Sequence, residues 1–160
     1  MPRHTHSMTH AELVQRAARW LRSQGYGTVV SEKLPLTGEE PDAIGWMAGG
    51  LSMLVECKVS RADFLRDIDK PHRRLAGLGM GWRRVYMTTL GVAKPVELPA
   101  GWGLVEVVGR ASRLVVYPTD QDTRATHREL TTLLAYIRRV EGVSKRLARV
   151  KGKGDAGDPE

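Results

Sequence analysis

The sequence predicts an α/β fold: a helix, a three-strand meander, a second helix, further strands in a mixed sheet and a C-terminal helix. Two observations carry this. Amphipathic stretches of helical period stand near both ends, and between them lie short runs rich in Val, Leu, Ile and Thr, punctuated by Gly and Pro.

Residues 1–8 carry no pattern and read as unstructured. Thr9, with Glu12 three residues on, has the spacing of a capping box. The helix behind it gathers Leu13, Val14, Ala17, Trp20 and Leu21 on one face and Gln15, Arg16, Arg19 and Arg22 on the other, until Gly25 and Gly27 end it. A strand at Thr28–Lys33 follows, then the loop PLTGEE, then two strands about Gly49-Gly50. Ser60 and Asp63 start a second helix that buries Phe64, Leu65 and Ile68, and Pro71 stops it. Beyond a basic, glycine-rich connection, strands are expected at Arg83–Thr89, Gly103–Val108 and Arg113–Tyr117, the last two joined by a turn at Gly109-Arg110. The final helix spans about Thr123–Ala148, with Leu130, Leu133, Leu134, Ile137 and Val140 at helical spacing, and residues 151–160 read as a disordered tail. One domain over residues 9–150 accommodates all of this.

Composition narrows the class. No run approaches the roughly 18 apolar residues of a membrane helix, and the N-terminus has no apolar signal region. Cys57 is the one cysteine, which excludes an intrachain disulfide or a cysteine cluster for zinc and makes a reducing, cytoplasmic setting the expectation. The net charge of +7 is unevenly placed. Residues 123–153 hold nine Arg or Lys against Glu129 and Glu141, whereas residues 32–56 hold five acids against Lys33. An acidic centre beside a basic flank suits a metal-using enzyme acting on a polyanion, and equally a solvated helix face.

The acidic centre reads PDAIGWMAGGLSMLVECKVS, from Pro41 to Ser60. Residues two apart on a strand share a face, so Glu56 and Lys58 project together while Val55, Cys57 and Val59 face the other way. A turn at Gly49-Gly50 sets Asp42 across from Cys57; a turn at Ala48-Gly49 sets it across from Val55. Either brings Asp42 to the level of Glu56; the first is off by one in facing, which a bulge or the irregular backbone that Pro41 allows would correct. Two carboxylates and an ammonium at one point suit a divalent metal and an attacking water. The same three residues also read as a turn acid beside an exposed strand-face ion pair.

Pro41-Asp42 before one strand and Glu56-Cys57-Lys58 within the next, in that order of elements, resemble the PD-(D/E)XK nuclease superfamily. The stretch from ECKVSRADFLRD through KPHRR to LPAGWGLVEV is similar to a bacterial and phage subgroup that includes the MmcB-like DNA repair proteins. The resemblance covers roughly residues 10–118 and implies a restriction-endonuclease-like core. It implies a cytoplasmic Mg²⁺-dependent DNA nuclease, with Mn²⁺ as a substitute metal, DNA as partner, 5′-phosphate and 3′-hydroxyl products, and a homodimer left open. Its catalytic residues would be Asp42, Glu56 and Lys58, with Asp42, Glu56 and the Cys57 carbonyl as metal ligands.

Glu12 then stands between two roles, extra metal ligand or helix cap, and Glu32 is a weaker supplement. Ser60 either touches a phosphate or caps its helix. Arg61, Arg66, Lys70, His72, Arg73 and Arg74 after the strand, and Arg83, Arg84 and Tyr86 on the next, are candidate DNA contacts or else solvated or paired with Asp63, Asp67 and Asp69, with Arg138 and Arg139 as further candidates on the last helix. Trp46, Trp82 and Trp102 are read as packing before base stacking. His4, His6 and His10 lie too near a loose terminus to suggest a metal site. Two other functions stay open: a catalytically silent DNA-binding protein of the same fold, and an interaction module using the last helix.

Overall fold

The computed structural model describes residues 7–31, 33–34 and 39–154. Helix α1 (His10–Ser23) begins at the Thr9–Glu12 capping box and buries Leu13, Ala17, Trp20 and Leu21. Strands β1 (Thr28–Val30), β2 (Ala43–Trp46) and β3 (Ser52–Lys58) form an antiparallel meander. Helix α2 (Arg61–Ile68) and the single turn α3 (Pro71–Arg74) carry the chain over to β4 (Arg83–Thr89), which lies parallel to β3. Strand β5 (Gly103–Val108) adds parallel to β4, β6 (Ala111–Val116) closes the sheet antiparallel, and α4 (Thr126–Gly154) follows. The six strands stand side by side in chain order. The fold is therefore mixed α/β with a C-terminal helix, and among the described residues no helix is long and apolar enough to cross a membrane.

The sheet divides two cores. Odd-numbered residues of β3 and β4 (Met53, Val55, Cys57, Val85, Met87) pack against α1. Even-numbered ones (Leu54, Tyr86) pack with Phe64 of α2, Met80, Trp102 and the first turns of α4. Strand β3 is buried on both faces, which explains its nearly continuous apolar run.

The structure departs from the sequence reading in several places. Strand β1 stops at Val30, three residues early. Helix α2 ends at Ile68, so Pro71 does not stop it but opens α3 at the first helical position, where a missing N–H costs nothing. Leu65 is exposed rather than buried, because Phe64 and Asp67 take the inward face. Strand β6 starts two residues earlier than expected. The last helix runs to Gly154, into the stretch read as tail. Leu130, Leu134, Ile137 and Val140 of its stripe are exposed; only its first turns reach the domain. His4, His6, Glu32 and residues 155–160 lie outside the described residues.

Candidate functional site

The hairpin register decides whether the two acids can meet. The chain adopts neither two-residue turn: Met47 pairs with Leu51 around the three residues Ala48-Gly49-Gly50, with Gly50 at φ 82°. A positive φ of this kind suits glycine, and the extra residue shifts the register by half a step. Ala43 then pairs with Val55, a register that brings Asp42, next along the chain, to the level of Glu56. No bulge is needed. Asp42 lies one residue beyond β2, and its Oδ2 accepts a hydrogen bond from the Cys57 N–H at 2.8 Å. Its Oδ1 lies 3.2 Å from His10 Nε2 at the start of α1.

Glu56 is 3% exposed, and Arg73 and Lys58 share its carboxylate. Lys58 Nζ lies 3.3 Å from Glu56 Oε2, and Arg73 Nη2 lies 2.9 Å from Oε1 at an angle too oblique for a hydrogen bond. Burial raises the carboxyl to about 7; Arg73 and Lys58 oppose that rise, while Asp42 and Asp67 add to it. Burial by itself would lower the Lys58 ammonium, but the Glu56 and Asp67 carboxylates outweigh it and hold it above the ordinary lysine value. Lys58 Nζ is 3.3 Å from Asp67 Oδ1 as well. The side chains of His10, Lys58, Asp63, Arg66, Asp67 and Lys70 line a cleft of about 360 Å³. A second cleft of about 420 Å³ lies on the other side of His10 and Asp42, between α1 and the β1–β2 connection.

Behind the trio sits a network the sequence reading missed. Asp67 is 1% exposed. It accepts hydrogen bonds from Arg73 Nε and Tyr86 Oη, both at 2.7 Å, and Lys70 Nζ lies 2.7 Å away. Desolvation would raise its carboxyl; the bonds and charge of Arg73, with Lys70 and Tyr86, outweigh that and hold it well below the usual range. Arg73 also reaches Glu39 at 2.6 Å and lies over the Trp102 ring, which stacks on Tyr86. The signal available in the sequence was the three-residue step from Phe64 to Asp67, which puts both on the buried face of α2.

Two expected DNA contacts are thereby corrected. Arg73, 4% exposed, is spent on three carboxylates inside the fold. Arg84, 1% exposed, donates to the carbonyls of Ala76, Gly79 and Gly81 and fastens the glycine-rich connection, because even-numbered β4 residues face away from α1, toward the side on which α2 packs. Tyr86 is equally buried. Trp46 and Trp102 are core residues, and Trp82 packs under Arg124. Glu12 accepts from the Thr9 N–H at 2.7 Å and hydroxyl at 2.9 Å, and Ser60 caps α2 through the Asp63 N–H, so both carry out their capping roles. Arg61 is paired with Glu97, Arg66 with Asp63, Arg74 with Asp69 and Arg83 with Asp120. His72 is partly buried, and that burial with Arg73 nearby lowers its pKa. Lys70 stays half exposed, and Arg138 and Arg139 face outward on α4.

Neither protein families nor curated proteins give a match to this chain. Among solved structures it is similar to the SPO1766 protein of unknown function from Silicibacter pomeroyi. The identity is 25% and the TM-score 0.60, over 96% of this chain and 98% of the other.

Proposed function

We propose that the protein is a Mg²⁺-dependent deoxyribonuclease built on a restriction-endonuclease-like core. One observation carries the reading: the three-residue hairpin loop brings Asp42 to the level of Glu56, and Lys58 shares the Glu56 face one step further along β3. The supporting context is the neighbouring cleft that Lys58 also lines, where Arg66 and Lys70 stand beside Asp63 and Asp67 as candidate phosphate contacts.

The donor set fits magnesium, which takes one or two carboxylates and keeps several waters. No group of three His, Cys, Asp or Glu side chains gathers among the described residues, so a protein-only cage is not what this site offers. Asp42 and Glu56 would hold the ion, with the Cys57 carbonyl as a further oxygen. When bound, it would polarise the phosphoryl oxygen and lower the pKa of its water. Lys58 has a separate task. Its ammonium is clamped between Glu56 and Asp67 and stays charged, so it orients the attacking water and stabilises charge developing on the phosphate, rather than taking a proton. Asp67 and Arg73 fix it there from behind.

A second reading has its own support. Glu56 already faces two cations, and Asp42 accepts from the Cys57 N–H through Oδ2 while Oδ1 lies beside His10. A catalytically silent DNA-binding protein would keep this arrangement permanently. One assay separates the two: labelled duplex, single-stranded, nicked, flapped and junction DNA incubated with Mg²⁺, Mn²⁺ or EDTA. The nuclease reading expects metal-dependent cleavage, reduced about 10²-fold or more by Lys58→Ala or Asp42→Ala, as for loss of other charge-stabilising groups. Near-normal cleavage by either variant removes the assignment, and binding without cleavage supports the silent protein.

A further inference from the structure

The outer half of α4 carries a seam the domain does not use. Leu133, Tyr136, Val140, Val143 and Leu147 follow one another at alternating steps of four and three residues, the spacing that keeps one stripe of a helix facing a second helix. Leu133 and Tyr136 use that stripe to pack on the domain core. Val140, Val143 and Leu147 continue it into solvent at 45%, 42% and 60% exposure, beside Ile137 at 47%. The row is too long and too regular for scattered surface apolar residues. Residues of this sequence outside those described supply only two large apolar side chains, Met1 and Leu36.

Charge selects the occupant. Arg139 and Arg146 each stand one residue before a seam position, on one rim, and the rim opposite carries Ile137 and Ser144. A second copy laid antiparallel would set Arg139 and Arg146 against themselves. Laid parallel, it would offer Arg139 only the Ser144 five residues on. Neither arrangement supplies an acid, since Glu141 lies off both rims. DNA would meet the arginines but leave the apolar seam wet. A membrane needs no alternating step and favours Trp, Phe or Leu where this seam has Val140 and Val143.

We infer that the outer half of α4 is a docking surface for an amphipathic helix of another protein, one with apolar seam residues and acidic rims. The inference stands apart from the nuclease reading and does not need it.

The test uses the full chain and a labelled three-heptad peptide with Leu at its seam positions and Glu at its rims, against a control with Lys at the rims. Fluorescence anisotropy should show the acidic peptide binding at least tenfold tighter than the basic one. Val143→Glu combined with Leu147→Glu should weaken it at least tenfold without moving the thermal midpoint, because both side chains lie beyond the core. Arg139→Glu with Arg146→Glu should reverse the preference. Three results would overturn the inference. These are equal binding of both peptides or of neither, a dimer in sedimentation that Val143→Glu/Leu147→Glu dissolves, and seam-dependent binding to phosphatidylserine vesicles that outcompetes the acidic peptide.

Discussion

Replacing Arg73 by Met keeps the length and apolar stem of the side chain and removes its charge. Three buried carboxylates, Glu39, Glu56 and Asp67, then lose their shared cation, and Trp102 loses the guanidinium over its ring. Removing one partner of a buried pair costs about 3–5 kcal/mol, and a desolvated cation–π contact about 2 kcal/mol more. The remaining partners soften this: Asp67 keeps Lys58, Lys70 and Tyr86, and Glu39 keeps the Met80 N–H at 2.7 Å. A net loss of about 4 kcal/mol corresponds to a thermal midpoint lower by about 8–16 °C for a domain of this size. The loss must also depend on pH. Burial already lifts Glu56 to about 7, and Arg73 is the main group pulling it down, so the variant's carboxyl rises further. A folded pKa above the unfolded one gives stability that is complete below the unfolded value and disappears as pH rises through the folded value. The deficit should be smallest near pH 5 and largest above pH 8. Thermal melts by circular dichroism at pH 5, 6.5 and 8 measure this, with Arg73→Lys as the charge-retaining control. A midpoint within about 3 °C of wild type, or a deficit equal at all three pH values, would refute the reasoning.

Asp67 reverses the sign. Its carboxyl is held below its ordinary value, so its contribution is present above about pH 4 and fades as pH falls further; Asp67→Asn should be less stable at neutral pH and converge on wild type in acid. Acid titration of the circular dichroism signal checks it, and parallel acid limbs would contradict it. Glu129, 3% exposed, accepts from Trp46 Nε1, Ser52 Oγ and the Gly81 N–H at 2.9–3.1 Å and so fastens α4 to the hairpin. Glu129→Gln, which loses the charge and turns one acceptor into a donor, should cost about 3 kcal/mol in urea unfolding. An unchanged unfolding midpoint would mean that α4 is held by its apolar contacts alone.

Local chemistry was legible where one residue's preference settled the matter. The Thr9 and Ser60 caps are of this kind, since each needs only a partner three residues away. Strand β4 and strand β5 were legible too, because their sequences are buried on both faces and bounded by Gly and Pro. The hairpin register was not, since Ala48-Gly49-Gly50 allows two- or three-residue loops and only the packing of Ile44 and Leu54 on one core selects among them. The fates of Arg73 and Arg84 were equally hidden. An arginine in a basic stretch looks like a surface charge, and only the crossover from β3 to β4 turns both inward onto carboxylates and carbonyls.

The sequence by itself therefore determined the α/β class, the order of the elements, the shared face of Glu56 and Lys58 and the amphipathic character of the last helix, because each depends on periods of two to four residues. The tertiary structure alone decided which register brings Asp42 to the level of Glu56, that Asp67 and Arg73 form a buried network behind Lys58, and that the seam of α4 leaves the domain after Tyr136. Those facts depend on groups between six and several dozen residues apart, brought together by strand pairing and burial, and no local pattern encodes such meetings.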